Sequence, residues 1–148
     1  EGPLSEGDPP ERNDGPIAIR DAARRAAPAV ATARAFVAEW RNRTASAAEL
    51  RRQRPILVGL ATGEFATLVQ LTIDDALATG EFGPENEGSV VVAKTVEGVG
   101  EGPAVLVVTR ERQVRSGRGL EPYRFVTYVA RLAPVRGGFA VSALEPQQ

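Results

Sequence analysis

The chain has 148 residues, 43% of them apolar and 25% charged, which is enough length and ordinary enough usage for one globular domain with a single core. It contains no Cys, no His and no Met, so thiol and imidazole chemistry and the usual zinc and copper sites are excluded, and only carboxylate sites for hard cations remain. The net charge of −1 hides a gradient: residues 1–19 carry −4, residues 20–54 carry +6 and the remainder −3.

Residues 1–16 (EGPLSEGDPPERNDGP) are rich in Pro, Gly and acids and have almost nothing to bury. This composition predicts a disordered acidic linker, followed by one domain over 17–148. No apolar run reaches the roughly 18 residues needed to span a bilayer. A chain opening at Glu1 without an initiator methionine is expected to be processed or cut from something longer. Lys94 stands against seventeen arginines, which reads as a coding bias before any functional preference.

Ala26, Val30, Ala33, Val37 and Trp40 recur at spacings of four and three, and Phe36 widens the stripe, predicting a first helix. Asp21 suits its start, Pro28 is tolerable only near a first turn or at a kink, and Arg41 and Arg43 suit its negative end. Ser46 with Glu49 three residues on forms a capping box for a short second helix through Leu50, disturbed at Pro55. Thr62 is the expected N-cap of a third helix whose stripe is Phe65, Leu68, Val69, Ile73, Ala76 and Leu77, with Gly80 as its stop. The hexamer LATGEF occurs at 60–65 and again at 77–82, too short a repeat to define a structural unit.

The second half is strand-like. Ser89–Val99, Ala104–Arg115, Tyr123–Pro134 and Phe139–Leu144 are rich in Val, Thr, Tyr and Phe and are separated by GVGEGP, SGRGLEP and VRGG. Short connections predict an antiparallel meander, and helices followed by a sheet predict an α+β domain with the helices on one face.

Several segments invite a chemical reading. Gly98–Pro103 follows a strand, but a nucleotide fingerprint needs a helix opening on its glycines, and Pro103 leads into another strand, so a hairpin loop is expected. Asp74 and Asp75 are helix neighbours about 100° apart and do not converge. Glu39 beside Trp40 would need burial to become a general base, and it falls off the apolar stripe. No catalytic residue, metal ligand or cofactor is therefore assigned. Phe36, Trp40, Phe65, Tyr123, Phe125 and Tyr128 are expected to form the core of the fold or to line a pocket in it. Arg41, Arg43, Arg51, Arg52 and Arg54 form the densest basic cluster. Without interleaved aromatics it does not suggest nucleic acid, and anionic headgroups are the better match.

A helix ending near Trp40, LATGEF opening another, the strand Ala104-Val105-Leu106-Val107-Val108 and the close Gly138-Phe139-Ala140-Val141-Ser142-Ala143-Leu144-Glu145-Pro146 together resemble the actinobacterial Mce-associated membrane proteins. That family is similar in turn to the extracytoplasmic domains of VirB-type and TcpC-like conjugation proteins. All resemble the nuclear-transport-factor-2-like (cystatin-like) superfamily, over about residues 28–146. Phe139 stands where those families commonly have Trp. The resemblance implies a cone of about three N-terminal helices packed on a curved four-stranded antiparallel sheet, behind a single membrane helix. It also implies a non-catalytic scaffold of a transport or conjugation complex with protein partners, and leaves open whether a second copy is among them. The alternative on the same fold is a soluble binder or enzyme for an apolar small molecule, which requires an open cone with an inward carboxylate.

Overall fold

The computed structural model describes residues 16–43, 46–96, 102–115 and 119–147. The proposed linker lies outside them but for Pro16, as do residues 97–101 of the glycine-rich loop. Three helices come first, α1 (Pro16–Trp40), α2 (Ala47–Leu60) and α3 (Gly63–Thr79). They are followed by β1 (Glu85–Val96), β2 (Ala104–Arg115), β3 (Gly119–Leu120), β4 (Arg124–Val135) and β5 (Gly138–Gln147). The sheet is antiparallel in the order β1-β2-β4-β5, with the two-residue β3 pairing with β2. This is the expected α+β arrangement of three helices on a four-stranded meander.

The α1 stripe buries Ala29, Ala33, Phe36 and Val37 against the sheet, with Val30 and Trp40 at its margin. α2 and α3 form an antiparallel pair whose Leu50, Leu57, Val69 and Ile73 complete the core. Its tether is a backbone bond from the Thr62 N–H to the Val141 carbonyl on β5, 2.9 Å. On the sheet side, Val105, Val107, Ala130, Leu132 and Val141 are wholly buried. Register shifts at Val90/Val92 in the β1–β2 pair and at Arg131/Leu132 in the β4–β5 pair mark β-bulges. Such bulges bend a strand and sharpen its twist, which curves the sheet around the helices.

Local signals account for most of the element ends, with four corrections. The Ser46 hydroxyl accepts the Glu49 N–H at 3.1 Å, but the Glu49 carboxylate turns to Arg52 instead of closing the capping box. Gly80 ends α3 in the left-handed conformation at φ 76°. Thr62 occupies the N-cap of α3 with no side-chain hydrogen bond, its backbone being committed to β5 instead. Pro55 does not end α2, which continues to Leu60. Both Pro55 and Arg51, whose carbonyl the proline cannot serve, are exposed residues, which lowers the cost of the lost bond because solvent is at hand. Pro28 likewise sits inside α1 rather than near its first turn, on the exposed side of the helix.

Candidate functional site

Alternation along β2 decides which side chains meet the helices. Val105, Val107, Thr109 and Glu111 face inward and are buried, while Leu106, Val108, Arg110 and Arg112 face outward. Glu111 is thus carried into the interior, where its side chain has no solvent exposure. A lone carboxylate there would be driven to its neutral form. Instead, Arg41 just past the end of α1 places Nε 3.2 Å from both Glu111 oxygens and Nη2 3.0 Å from Oε1. The Thr109 hydroxyl donates to Oε2 at 2.6 Å, Tyr128 donates to the same oxygen at 2.8 Å, and Asn86 Nδ2 reaches Oε1 at 3.2 Å. Burial pushes the Glu111 carboxyl up, but hydrogen bonds from Arg41, Thr109 and Tyr128 outweigh it and hold the group below the usual carboxylate range. The Tyr128 phenol is pushed up to about 12 by burial and by its bond to Glu111.

This cluster fastens α1 to the sheet. Asn86 Nδ2 also donates to the Arg41 carbonyl, and Arg43 and Asn86 exchange backbone hydrogen bonds of 2.9 Å each, adding the end of α1 to β1. Gly88 lets that backbone approach, since a Cβ there would lie 2.7 Å from the Arg41 carbonyl oxygen. A second buried polar side chain, Gln53 of α2, donates to the Glu39 and Asn42 carbonyls at 2.9 and 2.8 Å and to the Glu39 carboxylate at 2.8 Å. Glu39 also accepts Arg52 at 2.6 Å. Chemically, these groups saturate one another, and both oxygens of the inward carboxylate are engaged, one of them by a charge partner.

The aromatics divide between two places. Phe36 is fully buried, stacked on Trp40 at 6.0 Å and tilted against Phe65 at 5.4 Å, and Tyr128 is buried beside them. Tyr123 and Phe125, expected in the same group, lie on the opposite face: Phe125 pairs across strands with the outward Arg110 and is 70% exposed. The reason is register, because Tyr123 and Phe125 are out of phase with the inward Tyr128, Ala130 and Leu132. The basic cluster is not a free patch either. Arg41 is committed to Glu111, Arg52 to Glu39 and Glu49, and Arg54 to Asp74 at 2.7 Å, while Arg43 lies over the Trp40 ring at 5.2 Å. Arg51 alone of the five is exposed without such a partner among the described residues.

A second group of functional character lies at one end of the outer sheet face. The Arg110 and Arg112 guanidiniums approach the Tyr123 ring to 3.6 and 4.2 Å from its centroid. Clefts of about 280 and 240 Å³ flank it, one lined by Arg112, Gln113, Glu121, Pro122 and Arg124, the other by Asn42, Glu87, Gly88, Ser89, Arg110 and Tyr123. Among the described residues no group of three or more acids is arranged to hold a metal. The spacing of Glu111 two residues after Thr109, in phase with Val105 and Val107, was the available signal for the buried acid; the outward Arg110 and Arg112 carried the complementary one.

No family model and no curated protein matches the sequence. Solved structures do. The chain is similar to a periplasmic fragment of TraM, with 12% identity and a TM-score of 0.56 over 82% of this chain and 96% of that one. It is similar to VirB8 of Agrobacterium tumefaciens, with 12% identity and a TM-score of 0.57 over 84% and 92%. It is also similar to TraH of the Gram-positive conjugative plasmid pIP501, with 13% identity and a TM-score of 0.53 over 82% and 93%. The likeness to Mce-associated proteins has no counterpart among these three, whereas the resemblance to VirB-type proteins holds in the fold: three helices on an open antiparallel sheet, as in VirB8.

Proposed function

We propose that this chain is a non-catalytic, extracytoplasmic assembly domain of a membrane-tethered protein, working in a conjugation or secretion complex. One observation carries the reading most of the way: the interior carboxylate is neutralised and enclosed by Arg41, Tyr128, Thr109 and Asn86. A cone-fold enzyme needs the opposite, an acid with a perturbed pKa facing a cavity that admits substrate. The fold shared with TraM, VirB8 and TraH supplies the context. Tethering by a single membrane helix and self-association extend that context by analogy of fold.

The test is made in cells that carry the gene. A reporter active only outside the cytoplasm, fused after Gln148, is expected to be active and to sediment with membranes. Gene deletion is expected to abolish conjugative transfer or secretion, and expression of the gene in trans to restore it. A cytoplasmic, freely soluble product whose loss leaves transfer unchanged would overturn the proposal.

A further inference from the structure

We propose that Lys94 guards the open edge of the sheet, keeping β1 from pairing with β1 of a second copy. The two edges of the sheet differ. β5 is covered where the Thr62 N–H bonds to the Val141 carbonyl and Ala61 bridges to the same residue. Among the described residues β1 is covered only at its start, where Arg43 and Asn86 exchange backbone bonds. Those bonds also fix the phase of the strand. Because the Asn86 backbone turns away from β2, Glu87 and Ser89 are the residues that bond to Arg112 and Arg110. The same phase on β2 continues through Val108 and Leu106, so past the bulge Val92 and Lys94 bond to β2. Ala93 and Thr95 then present their N–H and C=O groups to the open side, where no described residue meets them.

The stretch is one that readily takes a further strand. Ser89–Val96 has five β-branched residues in eight and neither Pro nor Gly, and it exposes Val91 and Val92 by 45% and 42%. An open edge of that composition is a template for pairing with an identical one. Lys94 is the only charge in the stretch and the only lysine in the chain. It is exposed and forms no ion pair among the described residues, so it does not hold the fold.

Its place decides the pairing. A two-fold antiparallel pair that uses both open residues bonds Ala93 of one copy to Thr95 of the other. That register sets the two Lys94 side chains directly opposite each other, in the closer, non-bonded kind of pair with Cα atoms about 4.5 Å apart. Like charges so placed oppose pairing. A register centred on Ala93 instead sets Thr95 against the bulged Val91, which interrupts the ladder. One centred on Thr95 carries Ala93 past the end of β1. Lysine and bulge together leave a second copy no continuous register within β1 that is free of charge repulsion.

The experiment follows the 148-residue chain by sedimentation velocity at low ionic strength over a wide concentration range. Lys94→Val is expected to associate at least about tenfold more tightly than the wild type. Hydrogen exchange at Ala93 and Thr95 is expected to slow in that variant. Adding Thr95→Pro removes an N–H from the open side without touching the β2 ladder, and is expected to reverse the association. An equimolar mixture of wild type and Lys94→Glu, in which unlike charges meet, is expected to associate more tightly than either protein alone and to lose that gain in high salt. The mixture needs no proline, so it decides the matter even where Thr95→Pro unfolds the chain. Lys94→Val no tighter than wild type, or a mixture no tighter than its parents, would overturn the proposal. So would a wild type whose own Ala93 and Thr95 amides become protected as its concentration rises. Transfer that survives deletion of the gene refutes the assembly reading and leaves Lys94 untouched, because the guard is a property of the isolated chain.

Discussion

Arg41→Leu removes the one full positive charge that compensates Glu111 and leaves the rest of the cluster in place. The Arg41 carbonyl still accepts Asn86, and the Arg43–Asn86 backbone pair is untouched. Glu111 keeps Thr109, Tyr128 and Asn86 but loses three contacts of 3.0–3.2 Å from the guanidinium. Breaking a buried ion pair from one side costs about 3–5 kcal/mol. For a chain of this size each kcal/mol corresponds to a melting shift of about 2–4 °C, so a loss of roughly 10 °C is expected.

The sign of the pH dependence is more telling than the magnitude. In the wild type the folded Glu111 carboxyl lies below its unfolded value, so its contribution is complete above that value, near 4.5, and is lost as pH falls through the folded one. With Arg41 gone, burial is left opposed only by neutral donors, and the folded carboxyl is expected to rise, on this account above its unfolded value. The variant is then stabilised by protonation, and that stability disappears as pH rises through the raised value. Urea denaturation of both proteins at pH 7 and pH 5 therefore shows the gap between them narrowing at pH 5. A gap that stays constant or widens on acidification would refute the account of Glu111. Arg41→Leu/Glu111→Leu should recover part of the loss, because no unpaired charge remains buried.

Three further outcomes follow from the same packing. In a Tyr123→Phe background the only remaining tyrosine is Tyr128, and absorbance at 295 nm should report its ionisation at about 12; titration near 10 would contradict the bond to Glu111. Gly88→Ala puts a methyl 2.7 Å from the Arg41 carbonyl oxygen and is expected to cost about 1–3 kcal/mol, whereas Gly59→Ala meets nothing within 4 Å and should stabilise α2 by about 0.5–1 kcal/mol, both read by thermal denaturation. Ser46→Ala removes the cap on the Glu49 N–H, with an expected loss of about 1 kcal/mol and faster hydrogen exchange at that amide.

The fold was legible because its signals are local and agree with one another. The 26/30/33/37/40 spacing, the Ser46 cap, Gly80 and the glycine-rich connections each mark one element end or face, and the order of elements follows from them. The strands lie where their β-branched runs lie, with Glu85–Val96 and Gly138–Gln147 starting or ending a few residues from the expected bounds. What failed was phase. Composition alone cannot tell Tyr123 and Phe125 from Tyr128, yet an odd number of residues along the chain reverses the face, and they ended on the opposite side of the sheet from it. The basic cluster misled for a different reason. Arg41, Arg52 and Arg54 answer to Glu111, Glu49 with Glu39, and Asp74, and of these partners only Glu49 is close in sequence.

The two polar regions can be compared on one criterion, whether each charge already has its partner. On the helix side of the sheet every polar atom of Glu111 is taken, and the cost of burying that charge is offset by closing the interior around it. Around Tyr123, by contrast, Arg110 is stacked on the ring with no carboxylate partner among the described residues, and Phe125 remains exposed. Because residues on β2 alternate, a single strand supplies both conditions: Thr109 and Glu111 lock the interior while Arg110 and Arg112 build the exterior. A substitution that shifts the register of β2 by one residue would exchange the two sets, so the interior lock also fixes which groups the outer face presents.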